Sequence, residues 1–122
     1  SNSLIDISVS HNLLTGSIPI NIQERVWDNL DLSFNKFYGS LSSNFANYPT
    51  SSSLRLLVNR LSGRIPISIQ EAYNVSVLDG NLFECNVYNG DKGLPKHDSA
   101  TGVYQCADSF QQLSYTWISP YI

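Results

Sequence analysis

"NRLSGRIPI" occupies Asn59 to Ile67, and 47 residues earlier the chain reads "NLLTGSIPI" from Asn12 to Ile20. A divergent copy, "NKFYGSLSS", runs from Asn35 to Ser43. The three asparagines stand 23 and 24 residues apart, far beyond the period of a single helix or strand. Self-similarity at this spacing marks a repeat of whole supersecondary units. Extended backwards from each Asn, the units are "LIDISVSHNLLTGSIPINI" (Leu4 to Ile22), "WDNLDLSFNKFYGSLSSNF" (Trp27 to Phe45) and "SSSLRLLVNRLSGRIPISI" (Ser51 to Ile69). A fourth opens as "YNVSVLDGNLF" (Tyr73 to Phe83) and then departs.

Each recurring position has a physical task. Ile7/Val9, Leu30/Leu32 and Leu54/Leu56 alternate with polar residues, the period-two pattern of a short half-buried strand. Strands that recur once per unit in the same direction can only form a parallel sheet. Asn12, Asn35, Asn59 and Asn81 fall where each strand turns inward, and their amides carry the donors and acceptor needed to satisfy backbone groups freed at that bend. Leu14, Phe37, Leu61 and Phe83 then return an apolar side chain to the core. Gly16, Gly39 and Gly63 permit a turn that a Cβ would obstruct. Ile18 and Ile65 point inward, and the prolines that follow them predict an extended outer segment before Ile22, Phe45 and Ile69 complete the unit.

This pattern, L-x-x-L-x-L-x-x-N-x-L-x-G-x-I-P-x-x-I, resembles the leucine-rich repeat proteins, in particular the plant-specific subclass. The resemblance covers Leu4 to Phe83 and is degraded in the second unit, where Leu41-Ser42 replaces Ile-Pro. It implies an α/β repeat solenoid, a horseshoe fragment with a parallel β-sheet on its concave face. Residues 1–84 form the repeats, with units starting near 4, 27, 51 and 73. Residues 85–106 form a C-terminal cap loop, and 107–122 a tail that finishes the cap or leads towards a membrane. A stacked array needs such a cap, because its last unit would otherwise expose apolar side chains and an unpaired edge. Cys85 and Cys106, the whole cysteine complement, are expected to pair across it, closing a loop worth about 3 kcal/mol. A cysteine pair flanking the last repeat is familiar in this family, although typical plant receptor ectodomains place the two closer together. The alternatives are free thiols or a zinc site with His11 and His97, for which the spacing is wrong. No metal and no cofactor are expected.

Composition narrows the function. Only 14% of residues are charged, while 19 Ser and 12 Asn supply the polarity. A net charge of -3 argues against nucleic acid as a partner. No run of about 18 apolar residues exists to cross a membrane. The chain begins at Ser and lacks Met, which reads as a piece of a longer precursor. No G-x-S-x-G, phosphate-binding glycine loop or H-E-x-x-H is present, so no enzymatic activity is expected. Asn74-Val75-Ser76 is the single N-glycosylation sequon, against about two expected by chance. "LPKHD" (Leu94 to Asp98) reads as a solvated turn rather than a charged contact loop.

The outward positions of the sheet remain. They are expected to form columns: Ser8, Asp31, Arg55 and Val77; Ser10, Ser33, Leu57 and Asp79; His11, Phe34, Val58 and Gly80. At the strand starts Asp6, Asn29 and Ser53 align. Asp6, Ser8, His11, Asp31, Phe34, Arg55, Leu57 and Val58 are thus the candidate ligand contacts, with Phe34, Leu57 and Val58 as an exposed apolar patch. Four strands about 4.8 Å apart give a face of roughly 400 Å², half of the roughly 800 Å² that a standard interface takes from each partner. By resemblance the chain is the C-terminal end of an extracellular receptor-like protein. Such a protein binds a protein, peptide or glycan at the cell surface, with a possible co-receptor and its plasma-membrane anchor outside this fragment. A receptor kinase ectodomain, a secreted inhibitor and an ice-binding protein are the alternatives. Ice binding would need rows of small residues, whereas the rows Thr15, Tyr38, Ser62 and Ser17, Ser40, Arg64 are broken by bulk and charge.

Overall fold

Alternating apolar residues and the glycines after each Asn produce two four-stranded parallel sheets, one strand from each repeat in each sheet. The computed structural model describes residues 6–85 and 93–107. The starts near Leu4 and Ile5 and the aromatic tail from 108 to 122 lie outside the described residues. The first sheet has the order β1-β3-β5-β7, with β1 Asp6–Ser8, β3 Asn29–Asp31, β5 Ser53–Arg55 and β7 Val75–Ser76. The second has the order β2-β4-β6-β8, with β2 Thr15–Gly16, β4 Lys36–Ser40, β6 Arg60–Arg64 and β8 Leu82–Glu84. Two one-turn helices, α1 Ile20–Gln23 and α2 Ile67–Gln70, close the first and third repeats.

Across its first three strands the first sheet matches the expected pairing. Ile7 faces Leu30, Leu30 faces Leu54 and Leu54 faces Val75, so one apolar residue per strand stacks into a continuous column. Leu30, Leu54, Leu56, Leu61, Val77 and Phe83 are all at most 1% exposed. Full burial of each such side chain contributes about 1.5–3 kcal/mol before chain entropy is counted.

The second sheet was not expected, and it absorbs the L-x-G segment. Gly16, Gly39 and Gly63 have φ of +89°, +88° and +78°, and they lie within strands rather than at an isolated turn. A Cβ on Gly63 would come within 2.9 Å of the Ser40 Cβ, so close packing of successive strands requires the glycine there. The rows on this sheet are shifted from the simple repeat alignment: Thr15 stands beside Lys36, Tyr38 beside Arg60 and Ser40 beside Ser62.

The Ile-Pro segments also differ from expectation. Pro19 and Pro66 do not lead into an extended outer stretch; they cap α1 and α2, because the ring fixes φ at -56° and -60°, ready for a first helical turn. Gln23 and Gln70, 47 residues apart, are the last residues of these helices and make the same bond. Gln23 Nε2 donates to the Ile18 carbonyl at 2.8 Å, and Gln70 Nε2 to that of Ile65 at 3.0 Å. Buried Gln23 also accepts from the Ser42 N–H at 2.6 Å, holding the second repeat that lacks its own Ile-Pro.

Leu14 is 42% exposed rather than returned to the core, because no described residue packs on the outer side of the first repeat. Val77 differs most. The expected column placed it outward beside Arg55, yet Ser76 is the partner of Arg55 and Val77 is fully buried. From Leu54 to Asn59 is five residues, whereas from Val75, the partner of Leu54, to Asn81 is six. The extra residue buries Val77 and Leu78 side by side and leaves two adjacent N–H groups needing acceptors.

Candidate functional site

Asparagines at equivalent positions build one continuous hydrogen-bonded column. Asn35 Oδ1 accepts from the Leu14 N–H, Asn59 Oδ1 from that of Phe37 and Asn81 Oδ1 from that of Leu61, at 3.0–3.1 Å. Their Nδ2 groups reach across to the preceding repeat, to the carbonyls of Val9 (3.0 Å), Leu32 (3.0 Å) and Leu56 (2.7 Å). Each of these carbonyls also takes a bond from the asparagine of its own repeat, so both lone pairs are used. Asn12 differs: it is exposed and bonds only to Val9 and Ser10 carbonyls in its own turn.

Residues 93–107 continue this column with different chemistry. Tyr104 Oη accepts from the Phe83 N–H at 2.8 Å and donates to the Asn81 carbonyl at 2.9 Å, taking the place a fifth asparagine would fill. Burial raises the Tyr104 phenol above its ordinary pKa, opposed by the Phe83 N–H and reinforced by the charge of Asp79. Asp98 is 6% exposed, and its Oδ2 accepts from the N–H groups of Val77 (2.8 Å) and Leu78 (3.2 Å), the two left by the extra residue. Its Oδ1 accepts from the Ala100 N–H at 3.0 Å. "LPKHD" is therefore no solvated turn: Leu94, Pro95 and Asp98 are buried, and Lys96 Nζ meets the Glu71 carboxylate at 3.0 Å. Cys85 and Cys106 form a disulfide with Cα atoms 5.5 Å apart, beside Tyr104.

Immediately before each asparagine the backbone is left-handed. His11, Phe34 and Val58 have φ of +59°, +57° and +54°, and Gly80 stands at the same place with +78°. Such values are unusual for His and Phe and a genuine outlier for β-branched valine. They follow the first-sheet strands by three or four residues and precede the buried Asn35, Asn59 and Asn81 and the exposed Asn12, with the His11, Phe34 and Val58 side chains left exposed. The result is an exposed row. The His11 and Phe34 rings stack at 4.4 Å, Phe34 is 41% exposed and Val58 39%.

The other expected contacts are distributed around this row. Asp6 aligns with Asn29 and Ser53, and Ser53 bonds Asn29 through its hydroxyl. Ser8, Asp31 and Arg55 share a register line, with Arg55 Nε 4.0 Å from the Asp31 carboxylate. At that separation, with both side chains partly solvated, the pair contributes little. The Ser10 to Asp79 column is not an outward one throughout: Ser33 is buried, its hydroxyl accepting from the Leu57 N–H at 3.0 Å, and Leu57 is only half-exposed. The apolar patch is thus His11, Phe34 and Val58, with Leu57 at its margin.

At the far end of the sheet an open groove of about 290 Å³ lies over Ser53, Arg55, Asn74 and Ser76, walled by Tyr73 and His97. These two rings stack at 4.1 Å. Sequence reading found no link between Tyr73 and His97, which come from different segments. Among the described residues no cluster of His, Cys, Asp or Glu could hold a metal, and no helix is long and apolar enough to cross a membrane.

No protein-family profile matches the chain, and no solved structure matches it. Among curated proteins, a receptor protein kinase-like protein of Arabidopsis thaliana is 39% identical over 64 residues, or 52% of this chain. The matched segment spans 8% of that protein's length, so the likeness supports a receptor-like relationship for this stretch and no more.

Proposed function

We propose that the chain is a non-catalytic recognition module: stacked leucine-rich repeat coils at the C-terminal end of an extracellular receptor-like protein. It presents the outer face of the first sheet to a protein, peptide or glycan. The observation that carries this reading is the row His11, Phe34 and Val58, where apolar side chains are held outward by strained backbone beside polar Asp31 and Arg55. Strain of this kind is kept where the surrounding structure over-determines it, and exposed apolar groups on a polar face mark contact surfaces. The disulfide suits an oxidising, extracellular setting. Similarity to a receptor protein kinase-like protein favours one specific form of the proposal, in which this module belongs to the ectodomain of a kinase whose catalytic part lies elsewhere in the chain.

The test is a binding screen of the secreted module against extracellular ectodomains, secreted peptides and cell-wall oligosaccharides. Phe34→Asp should abolish binding of a specific ligand, while Tyr38→Asp, on the exposed side of the second sheet, should not. Ligands indifferent to Phe34 but lost with Tyr38→Asp would place recognition on the other sheet and defeat the proposal.

A further inference from the structure

The groove at the far end of the first sheet contains the chain's one sequon. Asn74 is exposed, lines the groove, and uses one amide hydrogen on the Thr50 carbonyl at 2.9 Å, leaving the second for substitution. Ser76 supplies the hydroxyl two residues on, and Val75 between them is not proline, as the acceptor sequence requires. Beside Asn74, Tyr73 is 57% exposed and braced by its stack on His97, so it keeps open ring surface next to the attachment point. The electron-rich face of such a ring attracts the polarised C–H groups of a sugar. At about 290 Å³ the groove is near the lower limit of ligand-sized pockets, suited to one sugar ring rather than an extended chain.

We propose that Asn74 is N-glycosylated and that the first N-acetylglucosamine seats in this groove against Tyr73. In the transfer, Asn74 Nδ2 forms a bond to the anomeric carbon of a lipid-diphosphate-linked oligosaccharide. The amide loses one proton and the lipid diphosphate departs. The seated sugar covers Arg55 and Ser76, closing that end of the sheet and leaving the His11–Phe34 end for a protein partner. The inference rests on the extracellular reading, because the transfer takes place in the secretory pathway.

The chain is expressed in cultured eukaryotic cells behind an added signal peptide, which removes its natural targeting from the test. Wild type should show a one-glycan mobility shift that endoglycosidase removes and that Asn74→Gln and Ser76→Ala both lack. Glycosylated wild type should melt above Ser76→Ala, and this gap should close in a Tyr73→Ala background. The same pairs made in bacteria give the reference for unglycosylated protein. Absence of an endoglycosidase-sensitive shift, or a melting gap that persists without Tyr73, overturns the proposal. Localisation of the full-length natural protein tests the extracellular reading separately.

Discussion

Replacing Asn59 by alanine probes the middle of the asparagine column. Asn59 is 7% exposed, and its Oδ1 is the acceptor for the Phe37 N–H at 3.1 Å. Its Nδ2 bonds to the Leu32 and Leu56 carbonyls, but each retains a second donor, from Asn35 and Asn81 respectively. Truncation therefore orphans one group, the Phe37 N–H, at about 1–3 kcal/mol, and removes shared bonds worth about 1 kcal/mol more. A loss of about 2–4 kcal/mol is expected, a large part of the roughly 5–15 kcal/mol that stabilises a typical domain. Asn12→Ala should lose under about 1 kcal/mol, since its bonds are open to water. Asn59→Asp keeps an acceptor for Phe37 but turns a carboxylate oxygen towards the Leu32 and Leu56 carbonyls, so it should not rescue the loss. Urea unfolding followed by the fluorescence of buried Trp27, in a Trp117→Phe background, measures all three variants. Equal losses at Asn12 and Asn59, or a neutral Asn59→Asp, would refute the reasoning.

Three further perturbations probe Asp98, the buried Tyr48 and the Gly80 turn. Asp98→Ala leaves the buried Val77, Leu78 and Ala100 N–H groups without their carboxylate and should cost at least about 3 kcal/mol by the same urea assay. Tyr48 is buried, and among the described residues its hydroxyl has no partner within hydrogen-bond geometry; burial pushes its pKa up to about 12, with the Trp27 backbone, short of a full bond, opposing weakly. Its folded pKa lies above the unfolded value, so stability is full below about pH 10 and falls as pH rises towards 12. Tyr48→Phe should be neutral or stabilising at pH 7 and should shrink that alkaline loss, leaving the part due to Tyr104. Gly80→Ala would bring a Cβ within 2.6 Å of the Val58 Cα, whereas at Gly16 nothing lies within 4 Å. Both have positive φ, so thermal melts should show Gly80→Ala losing clearly more than Gly16→Ala.

The first sheet was legible because its signals are local and repeated: alternating apolar residues fix which side faces inward, and the asparagines fix the register. The second sheet was hidden, since Thr15-Gly16 and Arg60–Arg64 lack a clean alternation and carry glycines that read as turns. The left-handed row was also hidden, for only Gly80 advertises positive φ, while His11, Phe34 and Val58 adopt it through tertiary constraint. Register failed in the fourth repeat because one extra residue between strand and asparagine displaces Val75, Ser76 and Val77 by one place when they are counted back from Asn81, while Asn81 and Phe83 keep their inward places, and its compensation, Asp98, lies about twenty residues downstream. Tyr104 standing in for an asparagine could not be read from residue type. The repeated Gln23 and Gln70 could have been, since both end an I-P-I-x-I-Q phrase.

Side-chain amide exchange in a solution NMR spectrum tests the stacking of equivalent repeats most directly. Nδ2 protons of Asn35, Asn59 and Asn81 should be strongly protected, with cross-peaks from Asn59 to the Phe37 amide and from Asn81 to the Leu61 amide, while Asn12 exchanges rapidly. Uniformly rapid exchange at all four positions, without those cross-peaks, would contradict it.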